Sequence, residues 1–467
     1  MMLQNAAPLV VLAISVAALL TTITARRSFL LSATVTAAGL LAALASIPYA
    51  MAAPPSAQGL FIFNTESLGF IGLILAASLV ILVIAYAYWQ AATKIPLEEF
   101  CLLLLLATLG AAALAAANNF IILFLGLETM TLAMIGMIAY PRYRGQAEEA
   151  GLKYLILSGM SSAFVLFGIG LIELGCGSLD FSTSLSAAAT PMMIAGLAML
   201  GVGAGFKLSV VPFHFWVPDI YAGAPAPSAA YVAVIAKIAV LAVLIRIMAL
   251  PGIALAPGVV NAMTMIAILS MLIGNLLALM QDNIKRVLGY SSIAHLGYLL
   301  VAILAAGAIA RVAVVFYLVT YAITMAGAFG VIAVLSNADA PRDADKITDF
   351  RGMFWTRPAL AAVMTLMLLS LAGIPPAIGF IAKMYVMAAG IHTDLWILIA
   401  TMVTSSVIGL FYYLNIIIVM SLRPETGKSA IFISLPSRVT MALVSFMVVG
   451  FGVAPQPLIA LLKTVFG

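Results

Sequence analysis

Long apolar stretches alternate with short polar punctuation along nearly the whole chain, and the stretches set the architecture. About 20 apolar residues cross ~30 Å of hydrocarbon. The sequence holds about fourteen stretches of that kind, at residues 5–24, 29–50, 68–91, 97–115, 118–139, 150–175, 190–222, 227–249, 257–280, 286–305, 308–336, 358–391, 395–421 and 437–462. The fourth and fifth are separated only by Asn118 and Asn119. The pattern predicts an all-α polytopic membrane protein.

Two of these stretches are abnormal. Residues 190–222 and 358–391 each exceed one straight crossing, and each has proline near its middle: Pro212 in the first, Pro375 and Pro376 in the second. Proline removes a backbone donor and breaks a helix interior. In lipid, irregular backbone survives only where it is buried in protein or lines a water-filled cavity. The spacing therefore predicts that helices 7 and 12 are broken. Five spans apart, the two run in opposite directions. Paired interruptions of this kind point to inverted repeats and a midplane site. The division predicted is 1–96 for helices 1–3, 97–249 for a first five-helix repeat (helices 4–8), 250–422 for a second, inverted one (helices 9–13), and 423–467 for helix 14. Strongly tilted helices, or helices running on into loops, are the other reading of an overlong stretch.

Positive charge tests the count, because cytoplasmic loops collect Lys and Arg. With the N-terminus outside, the inner loops hold Arg26, Arg27, Lys94, Arg142, Arg144, Lys153, Lys285, Arg286, Arg342, Lys346, Arg351, Arg357, Arg423, Lys428 and Arg438, and the outer side only Arg246, Arg311 and Lys463. Adding or removing one span would scramble this asymmetry. Both termini are thus expected outside. The chain is 65% hydrophobic and 8% charged, against about 25% charged in soluble domains. Its net charge of +5 sits in short loops and is no nucleic-acid footprint. Cys101 and Cys176 are expected near opposite faces, without a disulfide. The first apolar run is too long for a cleaved signal sequence.

Lys207, Lys237 and Lys383 fall within spans, as does Glu128. Ionisable groups at membrane depth are costly and are functional candidates by default. Lys207 and Lys237 flank the stretch FKLSVVPFHFWVPDIYAGAPAPSAAYVAVIAK, which carries four prolines. Burial disfavours the charged form of any such group, so Glu128 is expected neutral or paired, with Lys207 the obvious partner. A static ion pair that only fixes packing is the alternative; buried pairs rarely outperform hydrophobic replacements. Lys237 and Lys383 are too deep to snorkel. Lys383, close to Pro375 and Pro376, is either a proton carrier or a donor to freed helix carbonyls. His295 is either a relay group or a hydrogen-bonded core residue. His214, inside the first break, would cap the helix or line an inward water path. Asp219 is expected to cap the second half of helix 7, and Lys285 and Arg286 to anchor the inner surface. Arg246 and Glu173 lie near outer ends, where exit groups would sit; His392 has no role.

The absent chemistry narrows the function. The sequence has no Cys/His cluster of metal-ligand spacing, no Walker loop and no GxGxxG between strand and helix. Three histidines cannot hold several haems. What remains are acid–base groups in lipid, which suit proton or cation movement.

At these residues a family resemblance appears. The stretch FKLSVVPFHFWVPDIYAGAPAPSAAYVAVIAKIAV is similar to the central motif of the antiporter-like subunits of respiratory complex I, the NADH-quinone oxidoreductase. QDNIKRVLGYSSIAHLGY resembles that family's second signature and LAGIPPAIGFIAKMY its third. The resemblance runs from about Leu97 to Leu422. It implies fourteen helices in inverted five-helix repeats, and proton translocation along a charged axis. Glu128 and Lys207 would be its glutamate–lysine pair, Lys237 the central lysine, His295 the connecting residue and Lys383 the terminal lysine. It also implies that this chain binds no cofactor, since NADH, FMN, iron–sulfur clusters and quinone belong to other subunits. The implied partners are the other membrane-arm subunits and the lipid bilayer. A cation/proton antiporter subunit of a multisubunit exchanger shares the three motifs and is the alternative.

Overall fold

The structure is a computed structural model that describes residues 2–55, 59–90, 92–93, 95–186, 190–250, 257–424 and 435–467. Lys94 and Lys428, counted above among the inner charges, lie outside the described residues. Almost everything described is helical; extended pairing among the described residues is limited to isolated bridges.

The helices in order are α1 (Ala7–Ala25), α2 (Phe29–Ala45, carried on by Ile47–Met51), α3 (Thr65–Trp89), α4 (Glu98–Ala115), α5 (Phe120–Ile138), α6 (Gly145–Cys176), α7a (Pro191–Leu208), α7b (Trp216–Gly223), α8 (Ala226–Met248), α9 (Pro257–Ala278), α10 (Ile284–Ala305), α11 (Gly307–Leu335), α12a (Pro358–Ala372), α12b (Ile378–His392), α13 (Trp396–Ser421), α14 (Leu435–Val453) and α15 (Gln456–Phe466). Among the described residues, 13 are long and apolar enough to cross a membrane. The remaining predicted span, 358–391, is present as α12a and α12b, each of 15 residues and each too short to cross alone.

Local sequence explains the boundaries. Asn119 ends the run between α4 and α5, because its side chain accepts from Ile121 N at 2.7 Å and caps α5. Asn64 and Ser67 form a reciprocal capping box that starts α3, three residues ahead of the predicted span. The final span bends at Pro455, so the predicted 437–462 helix is split between α14 and α15.

Burial sorts the helices into layers. The apolar window of α8 is 94% buried and that of α10 is 89%, against 17% for α1, so α8 and α10 form the centre and α1 the exposed rim. Small residues draw α6 and α7a together. A Cβ at either Gly168 or Gly196 would meet the other's carbonyl oxygen at 2.7 Å, which is the close backbone approach that small residues permit between membrane helices. That contact fixes the helix whose last turn carries Lys207.

A knot of buried charge ties the helix ends near the α11–α12a loop. Asp343, at 0% side-chain exposure, accepts from Arg144 Nη1 at 2.9 Å and Lys285 Nζ at 3.0 Å. It also accepts from Tyr88 Oη at 2.6 Å and from the backbone N–H of Ala226 at 2.9 Å. Lys285 donates further to Ala224 O at 2.8 Å. The expectation that Lys285 anchors the membrane surface is therefore corrected: it is buried and paired.

Candidate functional site

Both predicted helix breaks are present, and each is held open by specific donors. In the first, α7a stops at Leu208 and Ser209 turns left-handed (φ 66). Pro212 follows and has no N–H to continue the ladder. The carbonyls at the end of α7a are taken by the backbone N–H groups of Ser209 and Val210 and by side chains. Trp216 Nε1 donates to Phe206 O at 3.0 Å, and Lys237 Nζ from α8 donates to Lys207 O at 3.0 Å and to Ser209 Oγ. Val211 N donates to Ser270 Oγ of α9 at 2.9 Å. In the second break, α12a ends at Gly373 (φ 81), and Lys383 Nζ donates to Ala372 O at 2.8 Å and to Ser406 Oγ of α13 at 2.7 Å. Lys237 and Lys383 thus do the same local work, each satisfying a carbonyl at an interrupted helix, as freed backbone in lipid requires.

Lys207, Lys237, His295 and Lys383 are all buried; Glu128 is half-buried. The expected direct Glu128–Lys207 partnership is not formed. Glu128 accepts from Ser162 Oγ of α6, while Lys207 Nζ donates to Thr131 Oγ1, one turn along α5 from Glu128, at 2.8 Å. The carboxylate still lies within electrostatic reach of Lys207, so the two are coupled across a short gap. Aromatic faces supplement the sparse partners. Lys207 Nζ lies 5.7 Å from the Tyr154 ring, Lys237 Nζ 5.2 Å from the Trp216 ring and Lys383 Nζ 5.3 Å from the Tyr298 ring, within cation–π range.

His295 is set in a tyrosine cage. Its Nδ1 lies 2.6 Å from Tyr317 Oη and its Nε2 3.4 Å from Tyr413 Oη. Tyr413 is bonded to Ser291, and the Tyr298 hydroxyl receives Asn275 Nδ2 at 3.0 Å and Ser405 Oγ at 3.2 Å. His295 and Lys383 line one small cavity with room for about one water molecule.

Other expectations are corrected. Asp219 lies in the first turn of α7b but does not cap it; it pairs with Arg286 at 2.7 Å and Lys153 at 3.1 Å. These three residues line an open cleft of about 870 Å³, together with Asp282, Arg342 and Asp345. The Arg246 guanidinium caps α4 through Ala117 O at 2.5 Å and Ala115 O at 2.8 Å. Glu173 and His392 are exposed. His214 is buried in the first break, its ring against Phe215 and its Nδ1 without a partner. Cys101 and Cys176 are free thiols. Among the described residues, no group of three or more His, Cys, Asp or Glu could hold a metal ion.

Residues 117–409 match the family described as NADH:quinone oxidoreductase/Mrp antiporter, transmembrane region. The chain belongs to that family. Within the NADH:quinone oxidoreductase/Mrp antiporter family, it is 42% identical to NADH-quinone oxidoreductase subunit N of Ectopseudomonas mendocina, over 97% of this chain and 94% of that protein. A chain in the structure of respiratory complex I from Thermus thermophilus is 30% identical, with a TM-score of 0.85 over 98% of this chain and 100% of that one. A chain of the Mrp complex from Dietzia sp. has a TM-score of 0.87 at 20% identity, over 100% of this chain and 97% of that one; at that distance it shows the shared fold alone. That family and the apolar helices make the chain a multi-pass membrane protein.

The site residues that sequence reasoning missed are mostly hydroxyls: Thr131, Ser162, Ser209, Tyr317, Ser406 and Tyr413. Thr131 stands three residues after Glu128 and Ser209 two after Lys207. Those spacings are the only signals, and they are weak, because hydroxyls in membrane helices usually bond their own backbone.

Proposed function

We propose that this chain is a proton-translocating membrane subunit of an NADH-quinone oxidoreductase, coupling electron transfer in other subunits to proton movement along Glu128, Lys207, Lys237, His295 and Lys383. The observation that carries the reading is the set of buried ionisable side chains at the two broken helices, in a chain 42% identical to a subunit N protein. On this reading a proton enters from the cytoplasmic side along α7b, reaches Lys207 and Lys237, passes by His295 to Lys383 and leaves outward. Glu128 tunes Lys207 through space, since a nearby opposite charge favours the charged form. A change in their separation would couple a remote redox event to pumping.

The same reading sets the chain in a bacterial inner membrane with both ends periplasmic. It assigns 97–249 and 250–422 as the two repeats, the other membrane-arm subunits as partners, and no cofactor to this chain. A stand-alone cation/proton exchanger is the competing reading; the 42% identity to a subunit N protein favours the oxidoreductase. The test is Lys207→Ala and Lys237→Ala in the assembled complex, with proton movement and NADH-driven quinone reduction measured together. Loss of proton movement supports the axis. Pumping and turnover both at wild-type levels would sink it.

A further inference from the structure

The row of charged groups is interrupted at the centre of the protein. Every hydrogen bond and ring contact of Lys237 goes to the α7 break: Lys207 O, Ser209 Oγ and the Trp216 ring. His295, on the other side, bonds among the described residues to Tyr317 and Tyr413 alone. No bond joins the two groups, so something else has to connect the first half of the axis to the second.

A buried tyrosine, Tyr221, lies on the short helix that follows the first break and packs against both α6 and α10. It lies on α7b, which packs on α10 closely enough that a Cβ on Gly289 would meet Pro218 Cα at 3.3 Å. Its ring is fully buried, edge-on to Phe329 of α11 at 5.7 Å. Its hydroxyl completes no hydrogen bond of proper geometry, although the hydroxyls of Tyr321 and Ser292 lie beside it. A buried hydroxyl left without a partner is costly, and in a packed interior such a group calls for a reason.

On one side, the Tyr154 ring lies 5.7 Å from the Lys207 ammonium and packs at 5.0 Å on Trp216, the first residue of the helix that carries Tyr221. On the other, Tyr321 Oη donates to Ser292 Oγ at 2.7 Å. Ser292 and His295 are three residues apart on α10 and so share a face. The Tyr321 ring is 5.8 Å from that of His295, and both line the small cavity that continues to Lys383.

We propose that the hydroxyls of Tyr221, Tyr321 and Ser292 form the bridge that carries protons from the Lys207–Lys237 half to His295. The proposal rests on the proton-translocating reading given above. A hydroxyl both donates and accepts. At each oxygen one O–H bond forms as the proton arrives and the original O–H bond breaks as its proton moves on. No electron is transferred and no hydroxyl is left ionised. The net change is an ammonium made neutral on the first side and an imidazole protonated on the second.

The test uses the whole complex, carrying Tyr221→Phe or Tyr321→Phe, in phospholipid vesicles, with protons moved per electron pair as the readout. The expected result is a ratio lowered to that of the Lys237→Ala complex. A wild-type ratio in Tyr221→Phe beside a lowered one in Lys237→Ala overturns the bridge and leaves the lysine axis standing. Wild-type ratios in both overturn the proton-translocating reading, and the bridge with it. Should Tyr221→Phe fail to assemble, 3-fluorotyrosine at position 221 keeps the hydroxyl and nearly the shape while making the phenol more acidic. A shifted pH profile of pumping then supports the bridge, and an unmoved profile shows a packing tyrosine only.

Discussion

Lys237 Nζ donates to the main-chain carbonyl of Lys207 at 3.0 Å, so the two central lysines meet through backbone rather than side chain to side chain. Lys237 therefore has two separable properties, a hydrogen-bonding one and a charged one. Lys237→Met removes both. It orphans the Lys207 carbonyl, at a cost of about 1–3 kcal/mol, and both the thermal midpoint and pumping are expected to fall. Lys237→Gln keeps a donor without the charge. Its thermal midpoint should stay near wild type while proton movement is lost. Equal destabilisation by the two substitutions would show that the cap is not the source of the stability.

Asp343 gives the pH prediction. Burial pushes its carboxyl up, but Lys285 and Arg144, with hydrogen bonds from Tyr88 and Lys285, outweigh burial and hold it below the ordinary range. A carboxyl depressed by folding contributes stability above its unfolded pKa, about 3.9, and loses it only as pH falls through the lower folded value. The gap in thermal midpoint between wild type and Asp343→Asn should therefore be constant from about pH 8 to pH 5 and close only below about pH 4. A gap that closes near neutrality would contradict the pairing.

Removing that carboxylate has a large expected effect. Asp343→Ala leaves Arg144 and Lys285 buried without a counter-charge, which costs on the order of 3–5 kcal/mol. Native electrophoresis should show little assembled complex. Replacing an exposed acid such as Glu173 should leave assembly intact.

Glu128 and Ser162 test the coupling across the gap. Glu128→Gln retains an acceptor for Ser162 and removes the charge that reaches Lys207. Assembly is expected to be normal and pumping reduced. Ser162→Ala, which keeps the charge, should pump more nearly as wild type does. The reverse ranking would mean that the hydrogen bond, not the charge, is what matters there.

Packing at the second break allows no side chain at two glycines. A Cβ on Gly379 would run into the Ser370 carbonyl, and one on Gly452 of α14 into the Pro376 carbonyl. Backbone cannot yield as a side-chain tip can. Gly379→Ala and Gly452→Ala are both expected to lower the thermal midpoint sharply, whereas Gly159→Ala, which meets nothing within 4 Å, should not.

The helices and both breaks were legible in the sequence because lipid enforces a length rule and proline a chemical one. Neither needs knowledge of neighbours. Lys207, Lys237, His295 and Lys383 stood out because charge or imidazole in an apolar run is rare. What could not be read was pairing across the sequence. Asp343 reaches Arg144 from 199 residues away, and nothing near either residue announces it. The same holds for Tyr221, which looks like any apolar helix residue until its hydroxyl is found without a bond. Lys285 was misjudged for a related reason: a basic residue beside a helix start has the same local pattern whether it faces lipid headgroups or a distant carboxylate.

The knot at Asp343 also has a bearing on how the chain is made. Arg144 and Lys285 leave the ribosome long before residue 343 does. While the earlier helices are being inserted, the two cations have no carboxylate to meet, and on the proposed topology they act as retention signals that hold their loops in the cytoplasm. Only when the α11–α12a segment emerges is that duty exchanged for a place in the folded interior. On that topology the same two charges serve first to orient the newborn chain and afterwards to lock it.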